Sequence, residues 1–356
     1  MAKLKSFNVT FTNTNGVCFA GRELGGAIVL DVASKYKMKE LRLRFRGYAL
    51  VHWTERHSNG QGKSKRTVTK HYSGEELYFD HTVVLFASSG NQYETIAEGQ
   101  HKFPFEFQVP SSCPTSYEGT CGRVRYEAVA TIERMFGVGH STISGFTVIS
   151  HIDLNEDPRV RIVKYNAVKK VRTHCNIIAS ITKNDFASAG SKLVTWSGDK
   201  LVVPVVPPSF VSGCHIIDIS YVLELIVNPA GPSFNLPVKM EVIVGTKPLR
   251  ISNIPHSQIP DPIGIEEEKY LEKNRAPPSQ KRRSLDHPNA GKSMDELCTK
   301  DNEPASTFEE CILGAADLVD DEEYEEIPGP VTFTPMYPHY SFTGTQSPFD
   351  SGLKKQ

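Results

Sequence analysis

The 356-residue sequence holds no run of about 18 apolar residues, the length a membrane-spanning helix needs. Its start, Met1-Ala-Lys-Leu-Lys-Ser-Phe7, enters an alternating pattern without the apolar core of a secretory signal. Cysteine is sparse: seven residues, at 18, 113, 121, 175, 214, 298 and 311, form no Cys-x-x-Cys and no Cys/His group at zinc spacing. That argues against a zinc module or a disulfide framework and for free thiols in a reducing compartment, so the expected address is cytoplasmic. No Gly-x-Ser-x-Gly elbow, P-loop or dinucleotide-type glycine run occurs. His52, His57, His71 and His81 cluster in one region at spacings unsuited to a shared metal. The expectation is therefore a protein that is not an enzyme and has no catalytic residues, no metal and no cofactor.

What is present is a period of two. In Leu41-Arg-Leu-Arg-Phe-Arg-Gly-Tyr-Ala-Leu-Val-His-Trp53, the odd positions Leu41, Leu43, Phe45, Ala49, Val51 and Trp53 are apolar, with Arg42, Arg44, Arg46 and His52 between them. Successive strand side chains point to opposite faces, so such a segment buries one face and wets the other. The pattern recurs at Phe103, Phe105, Phe107 and Val109, and at Val124, Tyr126, Ala128, Ala130 and Ile132, where Arg123, Arg125 and Glu133 are expected to face water. It returns at Ile217, Ile219, Tyr221, Leu223, Leu225 and Val227, and at Val238, Met240, Val242 and Val244. Turn-forming stretches such as Asn13-Thr-Asn-Gly16 and Asn228-Pro-Ala-Gly-Pro232 separate the strands. One-sided strands imply antiparallel sheets packed in pairs, so the fold class is all-β.

Charge divides the chain. Residues 1–150 hold 18 Lys+Arg against 13 Asp+Glu, residues 151–250 hold 12 against 8, and residues 251–356 hold 10 against 20. The front excess is too small for a nucleic-acid binder but suits phosphate-bearing or anionic-membrane partners. Asp153-Leu-Asn-Glu-Asp-Pro158 reads as a hinge, which predicts a β-sandwich over 1–153, a hinge over 154–160 and a second sandwich over 161–250. Residues 251–356, proline-containing and acidic, are expected to be a disordered tail.

Several segments resemble the alpha-arrestin (arrestin domain-containing) family, and in the family's order. They are Gly47-Tyr-Ala-Leu-Val-His-Trp-Thr-Glu55, Gly99-Gln-His-Lys-Phe-Pro-Phe-Glu-Phe-Gln-Val-Pro110 and Pro114-Thr-Ser-Tyr-Glu-Gly-Thr-Cys-Gly-Arg-Val-Arg-Tyr126, then Trp196-Ser-Gly-Asp-Lys-Leu201, Val205-Val-Pro-Pro-Ser209, Cys214-His-Ile-Ile-Asp-Ile-Ser-Tyr221 and Val244-Gly-Thr-Lys-Pro-Leu249. Each also has a plain scaffold reading; Gly119 and Gly122, for example, are available for positive φ in a wide turn. The resemblance implies two arrestin-like antiparallel β-sandwich lobes. About forty residues separate Pro158 from Trp196 where the family has several more strands, so the second lobe is expected to be truncated, with a depleted sheet that exposes edges or apolar surface.

The resemblance also implies a trafficking adaptor that links cytoplasmic segments of membrane proteins to ubiquitin ligases. The family recruits HECT-type ligases through Pro-Pro-x-Tyr, which docks on the aromatic groove of a WW domain. Here Phe333-Thr-Pro-Met-Tyr-Pro-His-Tyr340 offers Pro335 and Tyr337, with Thr334 at the first proline position. The candidate partner-binding residues are thus Pro335, Tyr337, Phe333 and Tyr340; the alternative is that Phe333, Tyr337 and Tyr340 dock on the chain's own lobes. Lys3, Lys5, Lys63, Lys65 and Arg66 are candidate contacts for acidic or phosphorylated cargo, and Lys281-Arg-Arg-Ser284 offers Ser284 to a basophilic kinase. Recruitment to the plasma membrane or endosomes, with peripheral membrane association, follows from this reading. The rival readings are a retromer-like coat or sorting subunit and a thioredoxin-binding redox regulator, the latter lacking cationic surroundings at Cys175 or Cys214.

Overall fold

The computed structural model describes residues 4–59, 66–89, 93–134, 139–154, 172–184, 199–229, 231–248, 306–319, 327 and 330–340. Residues 1–249 and 306–340 make one compact unit, and the remainder, 250–305 with 341–356, lies outside the described residues. Lys3, Lys63, Lys65 and Ser284 fall outside them too, as does 155–160 of the expected hinge.

Twelve strands build the first lobe. They are β1 (Leu4–Phe11), β2 (Val17–Phe19), β3 (Glu23–Val32), β4 (Tyr36–Met38), β5 (Glu40–Asn59), β6 (Arg66–Ala87) and β7 (Glu94–Ile96). After these come β8 (Gly99–Gln108), β9 (Tyr117–Gly119), β10 (Gly122–Glu133), β11 (His140–Gly145) and β12 (Thr147–Ile149). One sheet runs β1-β3-β8, the other β11-β10-β5-β6 with β9 on the start of β10, and all these pairings are antiparallel. The alternation does the packing: Leu41, Leu43, Phe45 and Ala49 of β5 and Val124, Tyr126, Ala128, Ala130 and Ile132 of β10 share a core with Leu24, Ile28 and Leu30 of β3. Phe45 stacks on Phe107 of β8 at 4.3 Å between ring centroids, which fixes the two sheets face to face. Each such buried side chain contributes about 1.5–3 kcal/mol. The wet face of β5 carries Arg44, bidentate to Asp80 at 2.8 and 2.6 Å, and Arg46, paired with Glu75 at 3.2 Å.

Gly119 and Gly122 do not take positive φ, contrary to the sequence reading. They are small because neighbours leave no room: a Cβ on Gly122 would lie 2.8 Å from Val51 Cγ1, and one on Gly119 would meet the Tyr117 hydroxyl.

Among the described residues beyond the hinge, the strands up to 248 form a single hairpin, β13 (Tyr221–Val227) and β14 (Leu236–Val242). The alternating stretch from Ile217 is therefore divided: Ile217 and Ile219 pack against the first lobe's core, and the strand starts at Tyr221. The hairpin is held by a clasp that the first lobe also uses. There, Ser116 N–H donates to the Val148 carbonyl at 2.9 Å, Ser116 Oγ accepts from Val148 N–H at 2.9 Å, and the Tyr126 hydroxyl donates to the Pro114 carbonyl at 2.6 Å. In the second, Ser209 N–H donates to Val244 at 2.8 Å, Ser209 Oγ accepts from Val244 N–H at 2.9 Å, and the Tyr221 hydroxyl donates to Pro207 at 2.6 Å. The turn before each tyrosine strand is thus fixed to the segment that follows the hairpin. The two regions meet where Thr246 N–H donates to the Ile152 carbonyl at 3.0 Å and Thr246 Oγ1 accepts from Ile152 N–H at 2.8 Å.

The C-terminal region departs most from expectation. Within the supposed disordered tail lie β15 (Ser306–Glu310), β16 (Ala316–Asp317), β17 (Thr332–Phe333) and β18 (Met336–Tyr340), with β15 on β18 and β16 on β17. The acidic, proline-bearing composition hid apolar residues spaced to pack on the first lobe.

Candidate functional site

β18 lies against the rim of the first lobe. Tyr337 is buried, and its hydroxyl donates to the Ser116 carbonyl at 2.7 Å, on the same serine that makes the first clasp. Met336 N–H donates to Thr147 Oγ1 at 3.1 Å, and the Tyr340 hydroxyl reaches the Thr246 carbonyl at 2.7 Å. Pro335 is buried as well, its carbonyl accepting from Cys311 N–H at 2.9 Å. On β15, Phe308 meets Phe19 edge-on at 6.2 Å, and Ile312 N–H donates to Val205 at 3.1 Å. The segment is a strap that touches the first lobe, the 205 region and Thr246 together.

A second apolar contact anchors the strap. Leu318 and Ile327 pack with Val129 and Ile143, and Phe333 joins them over Gly145, where a Cβ would lie 2.6 Å from the Phe333 ring. Asp317 Oδ1 ties the loop by accepting from Val319 N–H at 3.0 Å and Val331 N–H at 2.9 Å. The strap therefore covers Val129 on the outer face of β10. On that same face Arg125 and Glu127 are buried, which corrects the expectation that Arg125 faces water. Arg125 forms a bidentate pair with Glu118 of β9 at 2.8 and 3.1 Å. An alternation argument sees one sheet in isolation and cannot register a layer added from a remote segment. The apolar Val129 amid charged neighbours was the available signal.

Burial governs the titration of these groups. It raises the phenols of Tyr126 and Tyr337 well above their ordinary range. It also pushes the thiols of Cys18 and Cys113 up to about 11 and those of Cys214 and Cys311 upward, so these four carry little thiolate at neutral pH. Cys175 is exposed.

Of the proposed cationic contacts within the described residues, Lys5 is exposed 3.8 Å from Asp31, and Arg66 is exposed at the start of β6. Arg42, Arg44 and Arg46 of β5 have carboxylate neighbours, and the Arg44 hydrogen bond holds the Asp80 carboxyl below its usual value. Lys39 similarly pairs with Glu133 at 2.9 Å. A shallow cleft of about 240 Å³, lined by Tyr117, Glu118, Thr120, His174, Asn176 and Leu313, opens beside the strap. Among the described residues no group of three or more His, Cys, Asp or Glu is placed to hold a metal ion, and no helix is long and apolar enough to cross a membrane.

Residues 7–155 match the family of arrestin (or S-antigen) N-terminal domains, the span of the first lobe. Over that span the chain carries an arrestin N-terminal domain, and it is similar to arrestin domain-containing proteins. It is 24% identical to arrestin domain-containing protein 17 of Caenorhabditis elegans, over 72% of this chain and 74% of that one. It is 24% identical to arrestin domain-containing protein 4 of Mus musculus, over 69% and 73%, and 22% identical to arrestin domain-containing protein 1 of Rattus norvegicus, over 74% and 68%. The likeness supports an arrestin-family adaptor role.

Proposed function

We propose that the chain is a non-catalytic trafficking adaptor linking cytoplasmic segments of membrane proteins to a ubiquitin ligase or to endosomal sorting machinery. The observation that carries this reading is an arrestin N-terminal lobe with the chain's own Thr334-Pro335-Met336-Tyr337 segment laid across it. Cargo would bind the lobe surface, with Lys5 and Arg66 and their neighbours Lys3, Lys63 and Lys65 as cationic contacts, while the C-terminal region brings the enzyme. Tethering raises the effective concentration of ligase near cargo without chemistry by this chain. The protein would work in the cytoplasm, recruited peripherally to plasma membrane or endosomes, with phosphorylation of Ser284 altering the charge of the acidic region.

Because Pro335 and Tyr337 are buried, a WW domain can reach them only when the strap lifts. Recovery of WW-containing ligases should rise for Phe308→Ala, which removes the Phe19 contact and leaves the motif intact, and fall for Tyr337→Ala and Pro335→Ala. Equal recovery by all of these variants and the wild type would remove the ligase link. The burial of both motif residues favours a second reading, a retromer-like sorting subunit acting through its lobes, and that outcome would leave it standing.

A further inference from the structure

Strands β5 and β6 run on past the sandwich. The pairing of β5 with β10 ends where Val51 lies opposite Gly122, and His52 N–H makes a last bond to the Cys121 carbonyl at 2.9 Å. From His52 to Asn59, β5 pairs with Arg66 to Ser73 of β6 and with no other strand among the described residues. At about 3.4 Å per residue this makes a two-stranded arm roughly 27 Å long. Its two faces differ. Residues directly opposite one another share a face, so one side carries Trp53 with Tyr72, Glu55 with Lys70 and His57 with Val68. That side holds the arm together: Trp53 stacks on Tyr72 at 5.3 Å between ring centroids, and Glu55 accepts from Trp53 Nε1–H at 3.4 Å and meets His57 Nε2 at 3.1 Å. The other side sets His52 opposite Ser73, Thr54 opposite His71, Arg56 opposite Thr69 and Ser58 opposite Thr67. All eight are exposed, and none is a carboxylate or a large apolar residue. The carboxylate next along β6, Glu75, is engaged by Arg46 at 3.2 Å.

Strand propensity accounts for the threonines but not for the missing carboxylates, since a face kept only for solubility mixes both signs of charge. Every side chain on this face can donate a hydrogen bond, and Arg56 adds positive charge, so the complementary partner presents anionic oxygens. Arg66 and Lys70, exposed on the same arm, strengthen the field against Glu55. Shape selects the form of that partner. A single phosphate is held by donors that converge on it from several sides. Here the donors stand in two parallel rows on a ribbon, and neither edge of the arm is paired with a further strand among the described residues. Such a face matches a plane of phosphates, and without large apolar side chains it rests among headgroups and stays out of the acyl layer. We propose that the face bearing His52, Thr54, Arg56, Thr67, Thr69 and His71 adsorbs flat on an anionic phospholipid surface. This deepens the peripheral recruitment proposed above by giving it a contact site and a lipid class.

Flotation of the full chain with vesicles, in the absence of cargo and ligase, tests it. The chain should float with vesicles of phosphatidylcholine and phosphatidylserine, not with phosphatidylcholine alone, and raised salt should release it. Arg56→Glu reverses the charge on the face and should lower partitioning at least about tenfold. Lys102→Glu makes the same change of net charge on β8 and should stay within about twofold of wild type. A readout on the wild type keeps the test independent of misfolding: diethyl pyrocarbonate should modify His52 and His71 more slowly on the anionic vesicles, while His101 on β8 keeps its rate. Equal flotation with neutral vesicles, no flotation with anionic ones, full binding by Arg56→Glu, or unchanged modification of His52 and His71 would each overturn the proposal. So would capture of a phosphoserine peptide by this face with no binding to vesicles. Any of these failures leaves recruitment through cargo standing, because neither cargo nor ligase enters the assay.

Discussion

The hairpins β10–β11 and β13–β14 share a clasp down to the serine, the tyrosine and the valine, yet one is the centre of a core and the other stands in solvent. The clasp is local: a proline-led turn, a serine that accepts and donates, and a tyrosine hydroxyl caught by a carbonyl. Burial is not local. β10 has β5 beside it, the β1-β3-β8 sheet beneath it and the C-terminal strap on its outer face, whereas among the described residues β13 pairs with β14 alone. The contrast teaches that a hairpin's shape can be written within some forty residues while its stability is written elsewhere.

The sharpest test concerns the outer face of β10, which has no parallel on β13. Arg125 is paired with Glu118 and both are buried, whereas the corresponding position before Tyr221 is Ser220. Removing one partner leaves the other charge stranded, so Arg125→Ala should cost about 3–5 kcal/mol in urea unfolding. The double variant Arg125→Met, Glu118→Leu should recover most of the loss. A single variant within 1 kcal/mol of wild type would mean that the strap does not seal this face.

Much of this was legible beforehand. The period of two placed β5, β8 and β10 and named their core residues, because in a sheet the side-chain direction follows from position alone. Tyr337 was named from a docking motif, and its fold-back onto the lobes was the alternative kept beside that reading. What stayed hidden was Arg125 and the strap itself. Leu318-Val319 and Ile327 are short apolar interruptions in acidic surroundings, and only the packing against Val129 and Ile143 gives them a purpose. The sequence of β13 and β14 is that of good core strands; the expectation of exposed apolar surface came instead from the short stretch between Pro158 and Trp196.

A direct comparison comes from cutting each clasp at its serine. Ser116→Ala removes the acceptor of a buried Val148 N–H and should cost about 1–3 kcal/mol in global unfolding. Ser209 is as buried as Ser116, but the hairpin it ties is exposed, so Ser209→Ala should show mainly as faster amide exchange in β14, with a smaller loss in global unfolding than Ser116→Ala. Equal losses in both would show that the lobes unfold as one unit and that the difference in burial does not matter energetically.

The smallest expected effect separates the clasps by the strap. Ser116 also receives Tyr337, and Ser209 has no counterpart to that bond among the described residues. Tyr337→Phe keeps the ring and loses one hydrogen bond, about 1 kcal/mol, with the strap cut faster by protease. Alkali supplies the sign. The Tyr337 phenol is raised by burial, so the folded strap keeps its proton while the unfolded chain ionises near 10. Its stabilisation is therefore complete below that pH and falls as pH rises above it. Tyr126 is raised by burial in the same way and stays in place, so Tyr337→Phe should flatten the alkaline decline without abolishing it. If the decline above pH 10 is as steep in the variant as in the wild type, Tyr337 is not held buried in solution and the strap is open.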